Sequence, residues 1–447
     1  MIAPRLRFVL LMLLVCVPLA TAAGLSRGLL PFSLLLIALA VVVALFDLAL
    51  GLGRYRSLDF AVPEVVLGIL AERTELEVRA KYTALKKEPV RLAVLFPDGL
   101  DPDRSETLFR PSKANDPVRI PFVAKSRGSY HIRSIYFDWW SPLGLWVHRE
   151  CRTVQCEVRI YPNLRFEGRR VARFLNRGAI GAHARPQTGR GREFEKLREY
   201  EEGDGFDEIH WKATAKRRFP VTKVFQLERS QEIYVAVDSS RLSARPLPEP
   251  FAREDTGKTT THLDRAISAA LLLCIAAERQ GDRFGLLCFS DRVNHLLKAR
   301  SGLAHFSACR ELTLSLFPQT VSPDFGEIMA TVRNRIKRRS LFVFLTSLDD
   351  PVIAEDFIRA VELLSRQHLL LVVTIAPVGV QPLFDKNGVE EVDEIYSRLG
   401  GHLTWVKLQN LQRVLARKGA QFHVVPNQEV GLRLVSDYMN LKRRQLL

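Results

Sequence analysis

None of the six cysteines (Cys16, Cys151, Cys156, Cys274, Cys288 and Cys309) belongs to a C-x-x-C pair, so the chain lacks a zinc or redox motif of that spacing. Cys151 and Cys156 alone are close in sequence. They flank a short strand-like run, which leaves a bridge between them open, while reduced core thiols are the expectation for the set. A phosphate-cradling loop is also missing. Thr256-Gly257-Lys258-Thr259 imitates one, but Ala252 stands where the pattern needs a glycine, and the segment trails the preceding strand-like run by more than a dozen residues. Acidic residues are scarce: 49 Asp and Glu face 65 Lys and Arg, for a formal charge of +16. That excess favours anionic lipid, nucleic acid or an acidic protein, and a solvated basic surface beside an anionic leaflet accounts for it without nucleic acid.

Two long apolar runs open the chain, from Phe8 to Ala23 and from Leu29 to Leu52, with the lone Arg27 between them. The second is long enough to span the hydrocarbon of a bilayer at the helical rise, whereas the first is marginal and contains Pro18. The first run therefore has two readings. It is one arm of a transmembrane hairpin with helices over about 8–25 and 29–52, or a signal peptide in which Ala20-Thr21-Ala22 supplies a cleavage site. Arg54 and Arg56 outweigh Arg27 across the second run, so the positive-inside rule places everything after Arg56 in the cytoplasm under both readings. Residues 8–52 are expected to contact membrane lipid, and the chain to be a multi-pass protein of the cytoplasmic (inner) membrane. Asp47 lies inside the second run, where a carboxylate needs a partner or a route to the headgroups.

Residues 57–163 alternate short apolar runs with turn signals such as Asp98-Gly99 and Asp101-Pro102, the pattern of a β-sandwich. Near its end Trp139, Trp140 and Trp146 crowd around Ser141-Pro142-Leu143-Gly144, as a packed corner or an interaction surface. Residues 164–228 begin with an arginine-rich stretch (Arg165, Arg169, Arg170, Arg173, Arg177) read as a mobile basic linker, for which anionic headgroups are a simpler partner than nucleic acid. From residue 229 to 447 strand-like runs (Glu232 to Val237, Phe284 to Phe289, Ser340 to Leu345, Leu369 to Ile375, Gln421 to Val425) alternate with helix-like runs. The near-continuous apolar strands predict a mostly parallel sheet covered on both faces.

Directly upstream of that domain stands the sharpest motif: Arg198, Glu199, Tyr200, Gly203, Asp204, Ile209, His210, Trp211 and Lys212. This signature resembles that of the domain-of-unknown-function fifty-eight family, membrane-anchored bacterial proteins with a von Willebrand factor A-like domain. Arg127-Gly128-Ser129-Tyr130 and Ser141-Pro142-Leu143-Gly144-Leu145 extend the resemblance over nearly the whole chain. The implied fold class is α/β: a von Willebrand factor A-like (Rossmann-like) domain, an upstream β-sandwich domain and an N-terminal two-helix membrane hairpin. The resemblance also implies a MoxR-type AAA+ ATPase as partner.

Open α/β sheets bind ligands beyond the carboxyl ends of their strands, so Asp238-Ser239-Ser240 at the end of the first strand is well placed for a hard cation. In the resembled domains the metal-ion-dependent adhesion site reads D-x-S-x-S, with a threonine and a second aspartate from later loops. Asp238 and Ser240 fit, Leu242 replaces the second serine, and Asp349 fits the second aspartate. Mg2+ bound there would be held weakly; the competing expectation is that Asp238 and Ser240 cap a turn. No nucleophile accompanies the signature, so the expected function is scaffolding and partner binding, not turnover. The alternative is a hydrolase using Asp204, His210 or Asp238.

Overall fold

The computed structural model describes residues 1–25, 30–52, 59–81, 89–109, 117–179, 188–201, 205–226, 230–247, 260–382 and 392–444. They form two compact units, Met1–Tyr161 and Pro162–Leu447.

The first unit starts with a short strand β1 (Ile2–Pro4) and two helices, α1 (Leu6–Leu25) and α2 (Leu30–Leu52), which pack on one another. Both are long and apolar enough to cross a membrane. No side chain of α1 is buried by protein, an apolar exposure that lipid accommodates and water does not. The helices mark the chain as membrane-associated. Nine strands follow: β2 (Asp59–Ala61), β3 (Val65–Ile69), β4 (Arg73–Lys81), β5 (Val90–Val94), β6 (Leu100–Pro102), β7 (Glu106–Phe109), β8 (Pro117–Ala124), β9 (Gly128–Trp140) and β10 (Trp146–Tyr161). One sheet runs β1-β10-β9-β5-β7 with β3 beside β10, the other β2-β4-β8-β6. Side chains alternate along the strands, so that Leu76, Val78 and Phe122 of one sheet meet Leu92, Ile132 and Phe137 of the other in one core.

Asp47 has a partner. Its carboxylate accepts from the Ser141 hydroxyl at 2.6 Å and from the Leu143 backbone N–H at 2.8 Å, while the Trp146 and Trp139 indoles donate to the Ala44 and Gly51 carbonyls. The aromatic turn is thus fastened to the end of α2. Asp47→Ala leaves those donors without an acceptor and is expected to destabilise this unit by about 1–3 kcal/mol, read by thermal unfolding in detergent. Cys151 is exposed and Cys156 buried, and both thiols are free; burial pushes the Cys156 thiol up to about 11.

The second unit opens with a correction. Part of the expected arginine-rich linker is a helix, α3 (Arg165–Ala179), whose Val171 and Leu175 enter the core while its arginines ring the other sides. Then come β11 (Thr188–Glu199), α4 (Trp211–Arg217), β12 (Val221–Gln226), β13 (Glu232–Asp238), β14 (Pro246–Leu247), β15 (Thr260–Thr261), α5 (His262–Arg279), β16 (Arg283–Phe289), β17 (Val293–Arg300), α6 (Leu303–Leu314), α7 (Phe325–Arg335), β18 (Leu341–Leu345), α8 (Pro351–Ser365), β19 (Leu369–Ile375), α9 (Val392–Arg417), β20 (Ala420–Val425) and α10 (Val430–Arg443).

The main sheet has the order β17-β16-β13-β18-β19-β20, parallel except for the antiparallel edge β17. It reverses direction of progress between β13 and β18, the topological switch point of a doubly wound sheet. Ile233, Val235 and Val237 face α5 and α10, and Tyr234 and Ala236 face α7 and α8, so both faces are covered and the strands are apolar throughout. α5 starts in a capping box between Thr261 and Asp264, and α8 in an Asp350 cap followed by Pro351, which fixes the helix ends next to the strand tips.

Candidate functional site

The register that pairs Val237 with Leu345 sets the next residues, Asp238 and Thr346, side by side at the switch point. The Asp238 carboxylate accepts from the Ser240 backbone N–H at 2.7 Å and from the Thr346 hydroxyl at 2.5 Å, and Thr374 at the end of β19 donates to the Thr346 carbonyl at 2.8 Å. Three strand tips are thereby tied together. The loop after Asp238 is held from the other side, since Ser239 donates twice to the Phe289 carbonyl and accepts from the Gln319 N–H.

Asp238 is only 3% exposed, and this burial raises its carboxyl above the usual range against the opposing effect of the Thr346 and Ser240 donors. Beside it a cavity of about 20 Å³, enough for a single water, is lined by Asp238, Ser243, His262, Thr346 and Ser347. His262 Nδ1 lies 3.4 Å from the Ser347 hydroxyl, and burial, with Arg245 nearby, lowers its pKa.

Of the expected ligands, Asp238 and Ser240 are together, and Thr346 joins them through its hydroxyl bond to Asp238. Asp349 is engaged elsewhere: its Oδ2 accepts from Arg245 at 2.5 Å. Leu242, in the place of the second serine, is buried in the core with Tyr234 and Ala236. Two oxygens remain that an ion would satisfy. The Ser240 hydroxyl and Asp349 Oδ1 are buried without a hydrogen-bond partner among the described residues. With Asp349 already facing a guanidinium, Asp238 is the one carboxylate left for a hard cation. Among the described residues no group of three or more His, Cys, Asp or Glu side chains is placed to hold a metal ion, so an oxygen site here would rest on Asp238 and the neighbouring hydroxyls.

The signature segment is closed by its own hydrogen bonds. β11 and β12 pair antiparallel, Tyr200 donates its N–H to the Pro220 carbonyl, and His210 donates its own to the Val221 carbonyl. His210 Nδ1 accepts from the Ala213 N–H at 3.0 Å and so caps α4, while Thr214 accepts from the Val221 N–H. Arg198 pairs with Glu201 at 2.8 Å, Ile209 bridges to Thr222, and Trp211 is 68% exposed. Glu199 closes β11 and Lys212 lies in the first turn of α4. Gly203 and Asp204 lie outside the described residues, as do Thr256 to Thr259. No hydrogen bond or ion pair joins His210 to Asp238 among the described residues, and the ring nitrogen a base would use is committed to the cap.

Residues 196–381, which hold this segment and the Asp238 crevice, match the family model described as protein of unknown function DUF58. The chain contains a DUF58 region over these residues. No curated protein matches it. Solved structures similar to it include the PilB minor pilin from Streptococcus sanguinis (10% identity, TM-score 0.33, 81% of this chain and 89% of that one). BatB from Bacteroides thetaiotaomicron is similar at 11% identity and TM-score 0.30, over 48% of this chain and 100% of that one. An aerotolerance-related membrane protein from Bacteroides fragilis NCTC 9343 is similar at 12% identity and TM-score 0.28, over 47% of this chain and 99% of that one. At these scores neither fold nor function is carried over to this chain.

Proposed function

We propose that this DUF58 protein is a scaffold of the bacterial cytoplasmic membrane. Its second unit is a von Willebrand factor A-like domain in the cytoplasm, and it captures a protein partner at the strand-tip crevice without turnover. The carrying observation is the meeting of Asp238, Ser240 and Thr346 at the switch point, with the Ser240 hydroxyl left without a partner among the described residues. A site with one carboxylate holds Mg2+ poorly by itself, and an acidic side chain from the partner completes the oxygen shell, which makes capture depend on the ion. The strand order, with its antiparallel edge, supports the domain type. Arg54 and Arg56, outside the described residues, support the cytoplasmic side by their excess over Arg27. The commitment of His210 to a helix cap speaks for binding over the hydrolase alternative with Asp204, His210 or Asp238. The partner that the signature implies is a MoxR-type AAA+ ATPase.

The test uses the full chain in detergent and a purified MoxR-type AAA+ ATPase. Capture in Mg2+ is expected to drop by about tenfold to a hundredfold on chelation of the wild-type chain and in Asp238→Ala, compared at a temperature where the variant is folded, because loss of the acceptor for Ser240 and Thr346 lowers its melting temperature. Equal capture by both proteins, with and without Mg2+, discards the crevice as the docking point.

A further inference from the structure

The start of the chain and the aromatic turn meet in the first unit. β1 pairs antiparallel with the start of β10, Ile2 opposite His148 and Pro4 opposite Trp146, and the Arg5 N–H donates to the Leu145 carbonyl at 2.9 Å. Arg5 is thereby pinned one residue before the first helical residue of α1. An apolar helix of this length ends at the edge of the hydrocarbon, so Arg5 sits at the depth of lipid phosphates. Its guanidinium lies over the Trp140 ring, 4.9 Å from the centroid.

Arg7 joins it. Gly144, with φ at +71°, turns the chain between β9 and β10. A β-carbon there would stand 3.6 Å from Nη1 of Arg5 and 3.4 Å from Nη1 of Arg7, so the two guanidinium groups converge on one point of the turn. Neither has a carboxylate partner among the described residues. The nearby acids are already engaged: Asp47 by Ser141 and Leu143, Asp138 by Arg149 through two bonds of 2.9 Å, and Glu106 by Arg91 at 3.1 Å. A cavity of about 250 Å³ opens beside Arg5, lined also by Ile2, Arg91, Asp138, Trp140 and Arg149. Two like charges held together at a membrane boundary, next to an open cavity with a third and fourth guanidinium, call for an anion.

We propose that this face binds the phosphate of an anionic phospholipid. Planar guanidinium groups grip phosphate oxygens in pairs, which an ammonium does less well. A lipid is the source, and not free phosphate, because apolar side chains stand exposed beside the charges: Leu6 is 73% and Leu143 57% exposed, placed to meet acyl chains. Trp140 and Trp146 supply the amphipathic rings that mark such an interface. Bound lipid would tie β1, the aromatic turn and the start of α1 to the leaflet, fixing how the sandwich meets the membrane.

Native mass spectrometry of the full chain in detergent, with phosphatidylglycerol, phosphatidylcholine or inorganic phosphate added, tests this. The wild-type chain is expected to retain phosphatidylglycerol over phosphatidylcholine, with inorganic phosphate at the same concentration failing to displace it. Arg5→Gln with Arg7→Gln is expected to lose that lipid by about thirtyfold, from roughly 1 kcal/mol per basic group at an anionic surface. Arg5→Lys with Arg7→Lys should keep most of it. Equal retention of the two lipids by the wild-type chain overturns the proposal even if the glutamine variant fails to fold. So does unaltered retention by a folded glutamine variant, and displacement by inorganic phosphate would make the site a soluble-anion site instead.

Discussion

Asp282→Ala is expected to destabilise the unit Pro162–Leu447 by about 3–5 kcal/mol, the usual cost of removing one member of a buried ion pair. Asp282 has no exposed surface and precedes β16. Its Oδ2 accepts from Lys442 Nζ at 2.7 Å and from the Tyr438 hydroxyl, and its Oδ1 accepts from the Gln231 N–H at 3.0 Å. One carboxylate therefore joins α10 to the entry of both β13 and β16. Burial, and then the negative charge of Asp282, push the Tyr438 phenol upward, so the hydroxyl stays a donor at all working pH values. Removal of the carboxylate strands a buried hydroxyl and a backbone N–H, and leaves Lys442 with only the Gln280 carbonyl at 3.0 Å. Asp282→Asn retains an acceptor and should cost less. Urea unfolding of the full chain in detergent measures both, and a loss under about 1 kcal/mol for the alanine variant would show that solvent screens the pair. Asp282 stands at the amino ends of the strands, whereas Asp238 stands at their carboxyl ends. Partner capture should accordingly survive Asp282→Asn wherever the fold does.

Periodicity alone located most of the second unit. The expected strand Glu232 to Val237 is observed as Glu232–Asp238, Leu369 to Ile375 is observed without change, and the helix His262 to Arg279 matches α5. These segments are legible because strands buried on both faces are continuously apolar and because Thr261 and Asp264 announce the helix start. Several elements were not found, α3, β17 and α10 among them. α3 was hidden by its arginines, which interrupt the stripe that Val171 and Leu175 bury. β17 is an edge strand with half-buried residues and polar neighbours, so its alternation is weak. α10 was missed although Val430, Leu434, Tyr438 and Leu441 form a clear stripe. The expected helix Leu408 to Arg417 is the buried end of the longer α9, whose earlier part carries exposed Ile395, Tyr396 and Leu403 and so shows no periodic face.

The candidate site was legible in one strand and obscure in the next. Asp238 and Ser240 follow a strong strand and carry the expected residue types. Thr346 follows another, but only the order of strands in the sheet makes it the neighbour of Asp238, and order is a long-range property that no local pattern carries. Asp349 has the right type and the right loop, yet Arg245 claims it through a contact between residues 104 positions apart. His262 looked like an ordinary helix residue, and its approach to Ser347 likewise depends on the folded sheet.

The Glu167–Arg265 pair makes the sharpest test of how α3 is held. Glu167 is 5% exposed; its carboxylate accepts from Arg265 at 2.5 Å and from the Gly431 N–H at 3.1 Å, joining α3 to α5 and α10. Arg265→Met is expected to cost about 3–5 kcal/mol, because it leaves a buried carboxylate without its cation. Glu167→Gln with Arg265→Met should cost less than Arg265→Met alone, since the lone charge is gone, and the cycle isolates the pair. The pH dependence has a definite sign. Burial raises the Glu167 carboxyl above its ordinary 4.5, and Arg265 and the Gly431 N–H oppose that rise. A carboxyl raised in the folded state binds more protons there than in the unfolded chain, so its contribution to stability falls as pH climbs from 4.5 towards the folded value. Without Arg265 the rise is larger and the window extends further upward. The deficit of Arg265→Met relative to the wild-type chain should therefore shrink as pH is lowered and Glu167 takes up its proton. A deficit that stays constant from neutral pH down through that window would mean that Arg265 holds α3 by packing of its side-chain stem and not by charge.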